Sequence, residues 1–225
     1  MKKTIKLIYF TNPLCSWSWG FEPVWQRLKT QFTGKFNWQY CIGAFNDEES
    51  DNLNEHLDQM ASIWMQTQYM TGQPINLNDL INDPPLSSVP ASAAYKCIEK
   101  QSPVVADLFL STIRQKMMIE GKNISKQSII FSETYQLAKK SFVKIDLDQF
   151  HSDYVFRIGH ELLLRDNKMA TRYQIKRYPT LVFRTEDKIL LRIEDYVTYH
   201  QLLTLMKPIL KDLKVSNLEK IPQDN

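Results

Sequence analysis

Cysteine, glycine and long apolar runs are all scarce in this 225-residue chain, and each scarcity excludes something. The three cysteines, Cys15, Cys41 and Cys97, are odd in number and widely spaced, so they form no disulfide framework and fit a reducing compartment. The six glycines include no phosphate-cradling loop and no Gly-x-Ser-x-Gly elbow, which leaves nucleotide-loop and serine-hydrolase chemistry without a motif. The four histidines, His56, His151, His160 and His200, lie far apart, none at a ligand spacing from a cysteine, so no metal site is expected. No apolar stretch approaches the roughly 18 residues of a membrane span. Residues Met1 to Phe10 begin like a signal peptide, but Lys6 breaks the apolar run and no small-residue cleavage site follows; the segment reads as a strand. The formal net charge of +3 is spread along the chain, with no basic run longer than a pair such as Lys139-Lys140, which argues against a nucleic-acid partner. These exclusions describe a cytoplasmic protein with no nucleic-acid and no membrane partner. The acidic patch Glu48-Glu49-Ser50-Asp51 reads as a solvated loop.

What is present is enough apolar chain, 43% of residues, to bury a core without staples. At about 150 residues per domain the length fits one enlarged domain or a domain with an insertion. Thr4 to Phe10 is nearly continuous in β-branched and aromatic residues, as a strand covered on both faces would be. Thr11-Asn12-Pro13 breaks it, Trp17 to Phe32 has helical spacing, and Phe36 to Ile42 is a second strand, which together predict a βαβ unit. The middle of the chain is helical: apolar stripes run through Leu57, Met60, Ala61, Trp64 and Met65, and through Val105, Leu108, Phe109, Ile113 and Met117. A proline-rich loop, Asn82 to Pro90, precedes a helix Ala91 to Gln101; Gly121 ends the next helix, and Ser125 to Lys140 and Asp153 to Arg172 read as further helices. Two strands, Pro179 to Arg184 and Lys188 to Ile193, then flank a polar hairpin connection, and an amphipathic helix carries Leu202, Leu205, Met206, Ile209, Leu210 and Leu213.

The chemistry-bearing segment is Asn12-Pro13-Leu14-Cys15-Ser16-Trp17-Ser18-Trp19-Gly20-Phe21, which sets a cysteine between a strand and the first turn of a helix. Free N–H groups and the positive end of the helix dipole favour a thiolate there, so the thiol pKa is expected to fall. A small buried packing residue is the alternative for any lone cysteine, and is the expectation for Cys41 and Cys97. Trp25 and Phe21 are expected in helix-to-sheet packing, and Trp17, inside the motif, on the surface.

This Cys-x-x-Ser at a strand-to-helix junction, the long helical insertion and the late Arg177-Tyr178-Pro179-Thr180-Leu181-Val182-Phe183 resemble the DsbA family of thioredoxin-fold proteins. The segment Pro13 to Pro23 is most similar to its FrnE-like branch, and more loosely to YjbH-type protease adaptors and kappa-class glutathione transferases. The resemblance implies an α/β fold, a thioredoxin-like βαβ…ββα sheet with a large all-helical DsbA-like insertion. Residues 1–45 and 171–213 form the thioredoxin-like domain, 46–170 the insertion and 214–225 a loosely held tail. It further implies that Cys15 and Ser18 are catalytic, that Ser16, Trp17, Tyr178 and Pro179 bind substrate, and that Pro179 is a cis-proline. The loop Pro85 to Ser92 is expected to form the far wall of the site.

In a dithiol enzyme the residue three beyond the nucleophile resolves the mixed disulfide; here it is Ser18, whose hydroxyl cannot do so but can hydrogen-bond the thiolate. The expectation is therefore a thiol-disulfide oxidoreductase with a single nucleophile, monothiol exchange with protein or small-molecule thiols and disulfides. No bound cofactor is expected, and glutathione is the expected co-substrate. Two alternatives stay open: a kappa-class-like glutathione transferase or isomerase, matched by the Ser18-Trp19 pair, and a non-catalytic protein-binding adaptor.

Overall fold

The computed structural model describes residues 5–44, 53–78, 82–140 and 142–212. The readings made for residues 1–4, for the Glu48 to Asp51 patch, for Leu213 and for the tail from Lys214 lie outside those residues. Four strands, β1 (Lys6–Thr11), β2 (Asn37–Ile42), β3 (Thr180–Arg184) and β4 (Ile189–Glu194), form one sheet in the order β2-β1-β3-β4. β1 and β2 are parallel, and the β1–β3 and β3–β4 pairs are antiparallel. A parallel pair needs a crossover, supplied by α1 (Ser16–Gly20) and α2 (Glu22–Gln31).

The central strand β1 is covered on both faces, as its unbroken apolar run requires. Leu7 and Tyr9 pack on one side with Trp25, Leu28 and Phe183, and with Leu202 and Met206 of the closing helix α9 (Tyr199–Asp212). Ile8 and Phe10 pack on the other with Cys41, Val182 and Ala170. Trp25 and Phe21 are buried packing residues, and the Trp25 indole donates to the Tyr40 hydroxyl at 2.5 Å.

Between β2 and β3 lie α3 (Leu53–Thr71), α4 (Val89–Gln101), α5 (Pro103–Met118), α6 (Gln127–Ala138), α7 (Leu147–Val155) and α8 (Ile158–Arg172). Their own core joins Met60, Trp64, Phe109, Ile113 and Met117, and reaches Leu14, Trp19 and Ile42 beside the cysteine motif. Met65, which the spacing puts on the α3 stripe, is exposed instead. α8, although it belongs to the helical segment by sequence, lies against the sheet: its buried Asp166 accepts from the Ile42 amide at 2.8 Å and from Lys96 of α4 at 3.0 Å.

Two helices expected as continuous are broken. Trp17 to Phe32 divides at Phe21, because Pro23 in the first turn of α2 has no N–H for the Trp19 carbonyl and would clash with it. Asp153 to Arg172 divides at Phe156-Arg157, where Arg157 takes φ 62°, a left-handed conformation that ends α7 and re-aims the chain into α8. The new direction brings Gly159 against α4 so closely that a Cβ there would meet the Ala93 carbonyl oxygen at 2.3 Å and Cys97 Sγ at 2.6 Å. Glycine is required by that contact.

Candidate active site

Cys15 is placed by the turn that leaves β1. Asn12 organises it: Oδ1 accepts from the Leu14 amide at 2.7 Å, its main-chain carbonyl accepts from the Cys15 amide at 3.2 Å, and Nδ2 donates to Gly43 O at 3.2 Å and Ser88 Oγ at 3.0 Å. Cys15 then caps α1, its sulfur accepting from the Ser18 amide at 3.4 Å. From the opposite side the thiol donates to the Tyr178 carbonyl at 3.4 Å, and the Tyr178–Pro179 peptide bond is cis. The strand-end cysteine and the segment before β3 are thus brought together from 163 residues apart.

The other predicted residues fall around this point. Ser18 is wholly buried and its hydroxyl makes no hydrogen bond, although it lies close enough to the sulfur to draw the thiol pKa down. Ser16 is buried with its hydroxyl engaged by Thr67 of α3 at 2.9 Å, which ties the motif to the helical segment. Trp17 is half-buried, its ring 6.2 Å from that of Tyr196. The Tyr178 ring lies over Gly43, where a Cβ would meet the phenol oxygen at 2.1 Å. Burial first, then the neighbouring Cys41 and Cys15, push that phenol up to about 12.

A cavity of about 570 Å³ opens above Cys15. Its floor is Asn12, Leu14, Cys15 and Ser16, with Trp17, Ala44 and Tyr178 at the sides; its far wall is α3, through Gln59, Met60, Ile63 and Trp64, and Lys176 and Arg177 stand at the rim. This corrects the expectation for Pro85 to Ser92, which supports the site from behind: Ser88 bonds Asn12, and Ser92 Oγ donates to Gly43 O at 3.1 Å. A second cavity of about 320 Å³, beside Arg172, Arg184 and Arg192, holds no nucleophile, and the Arg184 and Arg192 guanidinium groups are already bonded to Tyr173 and its neighbours. Among the described residues no cluster of three or more His, Cys, Asp or Glu could hold a metal, and no helix is long and apolar enough to cross a membrane.

The thiol's electrostatics run against the expected sign. Burial is the largest influence and pushes the Cys15 thiol up; the nearby Ser18 hydroxyl, the Ser18 amide hydrogen bond and the Arg114 cation pull it down without overcoming burial. α1 has only five residues, too short a dipole to change that balance. Cys41 and Cys97 are wholly buried, the former donating to Asp166 O at 3.3 Å, and burial raises both, Cys97 to about 12.

Sequence reasoning missed Arg114 and Glu22, which form a buried ion pair of 2.8 Å beneath the motif. The signal was there: Arg114 lies on the same helical face as Ala106, Leu110 and Met117, all buried, so a cation interrupts an apolar stripe.

The family model described as Thioredoxin matches residues 9–203. A curated relative, the ClpXP adapter protein SpxH of Halalkalibacterium halodurans, is 22% identical over 222 residues, covering 93% of this chain and 69% of the relative. SpxH of Bacillus subtilis is 26% identical over 184 residues, and the match spans 81% of this chain and only 59% of that protein. Among solved structures, a putative protein disulfide isomerase from Nitrosomonas europaea superposes with a TM-score of 0.80 at 20% identity, covering 93% of this chain and 98% of the other. The cytosolic disulfide reductase DsbM from Pseudomonas aeruginosa gives 0.67 at 16% identity over 92% and 95% of the two chains, and DsbM with GSH is similar in the same way.

Proposed function

This chain belongs to the thioredoxin family, with a DsbA-like fold, and from that premise we propose that it is a cytoplasmic thiol-disulfide oxidoreductase using Cys15 as its single nucleophile. The observation that carries this reading is the juxtaposition of Cys15 Sγ with the Ser18 amide and the Tyr178 carbonyl at the floor of an open, mainly apolar cavity. The Cys15 thiolate attacks a mixed disulfide R–S–S–G, forming Cys15–S–S–G and releasing R–S⁻. Glutathione thiolate then attacks that adduct, giving oxidised glutathione and the Cys15 thiolate. External thiol is required because Ser18 supplies no second sulfur.

A raised thiol pKa slows the attack step less than the loss of thiolate alone would. Each unit of rise costs about tenfold in thiolate fraction but returns about threefold in intrinsic nucleophilicity. It also makes Cys15 a poorer leaving group, which slows its release by glutathione and makes the protein unsuited to being a strong oxidant, since that depends on a stabilised thiolate. The proposed direction is therefore reductive, in line with the name of DsbM and with its structure with GSH.

One second reading has its own support. The two SpxH relatives are named as ClpXP adapters, and Ile63, Tyr69 and Met70 of α3 are exposed on the helix that walls the cavity. A protein-binding adaptor would use that wall and leave Cys15 idle.

Intact-mass measurement after incubation with oxidised glutathione separates the two. A single adduct on Cys15, absent in Cys15→Ser and removed by reduced glutathione, is the expected result. An unmodified protein across pH 7 to about 10, the range over which a thiol near the ordinary value ionises, would sink the exchange mechanism and leave the adaptor. Conjugation of glutathione to an electrophilic aromatic, with no adduct on Cys15, would instead identify a transferase.

A further inference from the structure

The helical segment between β2 and β3 sends one charged side chain beneath the Cys15 turn. Arg114, from the interior of α5, is wholly buried. Its Nη1 donates to Glu22 Oε2 at 2.8 Å; its Nη2 donates to the Thr11 hydroxyl and to the Asn12 carbonyl, the latter at 3.3 Å. That Asn12 carbonyl also accepts from the Cys15 amide at 3.2 Å, so one oxygen joins the guanidinium to the nucleophile's own backbone. Arg114 Nε and the nearby Tyr9 hydroxyl are both buried without a hydrogen bond. Stability alone does not explain this arrangement, since well-packed apolar residues commonly replace buried ion pairs with no loss.

We propose that Arg114 is a positioning residue for Cys15, fixing the Thr11 to Cys15 turn and holding a positive charge beneath the sulfur, and that Glu22 attenuates that charge. The inference rests on Cys15 acting as the nucleophile of the function proposed above. Its electrostatic side agrees with the geometry. Burial penalises the guanidinium, but the Glu22 carboxylate, with the Thr11 hydroxyl and the Asn12 carbonyl as further acceptors, holds Arg114 charged. Burial raises the Cys15 thiol, and Arg114 is the cation that opposes it. Among the described residues, the groups facing Cys15 or its neighbour Arg114 are Tyr9 of β1, Ser18 of α1, Glu22 of α2, Arg114 of α5, and Lys176, Arg177 and Tyr178 before β3. Lys176 and Arg177 are exposed, and Arg177 is paired with Asp195 at 2.9 Å, so solvent screens them. The α3 residues that line the cavity among those described, Gln59, Met60, Ile63 and Trp64, carry no charge.

The test is the iodoacetamide alkylation rate of Cys15 against pH, followed by peptide mass in the full chain. The set is wild type, Arg114→Lys, Arg114→Met, Glu22→Gln, and the double variant Glu22→Gln with Arg114→Met. Arg114→Met should displace the profile to higher pH and slow alkylation at neutral pH by about threefold, the net effect of a rise of about one unit in the thiol pKa. Glu22→Gln should displace it to lower pH, and Arg114→Lys should stay near wild type. Loosening of the fold would move both single variants the same way; a charge effect moves them oppositely. Should Arg114→Met alone not fold, the uncharged double variant still reports, because it differs from Glu22→Gln only at Arg114 and should alkylate more slowly. Superimposed profiles, or shifts of one sign, would overturn this inference alone. A Cys15 unreactive in the wild-type protein would overturn it together with the exchange mechanism.

Discussion

Ser18 is the residue that restricts this protein to one sulfur at a time. Its hydroxyl is buried, without a hydrogen-bond partner and adjacent to Cys15, so cysteine, which differs by one larger atom, breaks no hydrogen bond there. Ser18→Cys should therefore close an internal disulfide on oxidation, seen as a mass lower by two hydrogens and loss of Cys15 alkylation, and should release substrate thiols without added glutathione. A variant that stays fully alkylated after oxidation would show that the motif does not hold thioredoxin-like geometry. At this scale the sequence was most informative where a residue sits in a recognisable spacing. The place of Cys15 at the start of a helix beside Ser18, and the packing roles of Cys41 and Cys97, were legible. The sign of the Cys15 pKa was not, because local position reports the helix terminus, while burial is decided by α3 and by the segment before β3, both remote in sequence.

At the scale of elements, the strands and most helices followed from apolar periodicity, and the misreadings are breaks at Pro23 and Arg157. Periodicity continues across such a break when both pieces bury the same side, so the pattern alone does not reveal it. The two close glycine contacts make distinct predictions. At Gly159 the obstacle is the main-chain carbonyl of Ala93, which has nowhere to go, so Gly159→Ala should destabilise the protein by about 1–3 kcal/mol through overpacking. The urea midpoint should fall with an unchanged slope; an unchanged midpoint would show that α4 and α8 do not approach as described. At Gly43 the obstacle is the end of the Tyr178 side chain, which can turn aside, so a Cβ there disturbs the cavity rather than the core. The role of α3 as far wall was illegible for a related reason: its stripe declares that one side is buried, not which partner covers it.

For the whole molecule, the sheet and helical cores meet at the cysteine motif, and that junction and the helical core both hold groups that burial keeps protonated. Tyr9, Tyr154 and Tyr178 are raised from 10.0 to about 12, with desolvation the first cause in each, and Cys15, Cys41 and Cys97 are raised as well. A raised native pKa means that the unfolded chain releases its proton first. The stabilisation is complete below the unfolded values, about 8.5 for thiols and about 10 for phenols, and is lost as pH climbs through the native ones. Thermal midpoints should accordingly fall steeply between about pH 9 and 12, with phenolate absorbance rising in the same transition. A flat midpoint across that range would contradict the buried state of these tyrosines. The unbonded slot at Ser18 has one more consequence, in evolutionary terms. Most serine codons lie a single nucleotide from a cysteine codon, and the exchange breaks no hydrogen bond of the Ser18 hydroxyl. A lineage carrying this chain can therefore pass between one-sulfur and two-sulfur forms by a single point mutation.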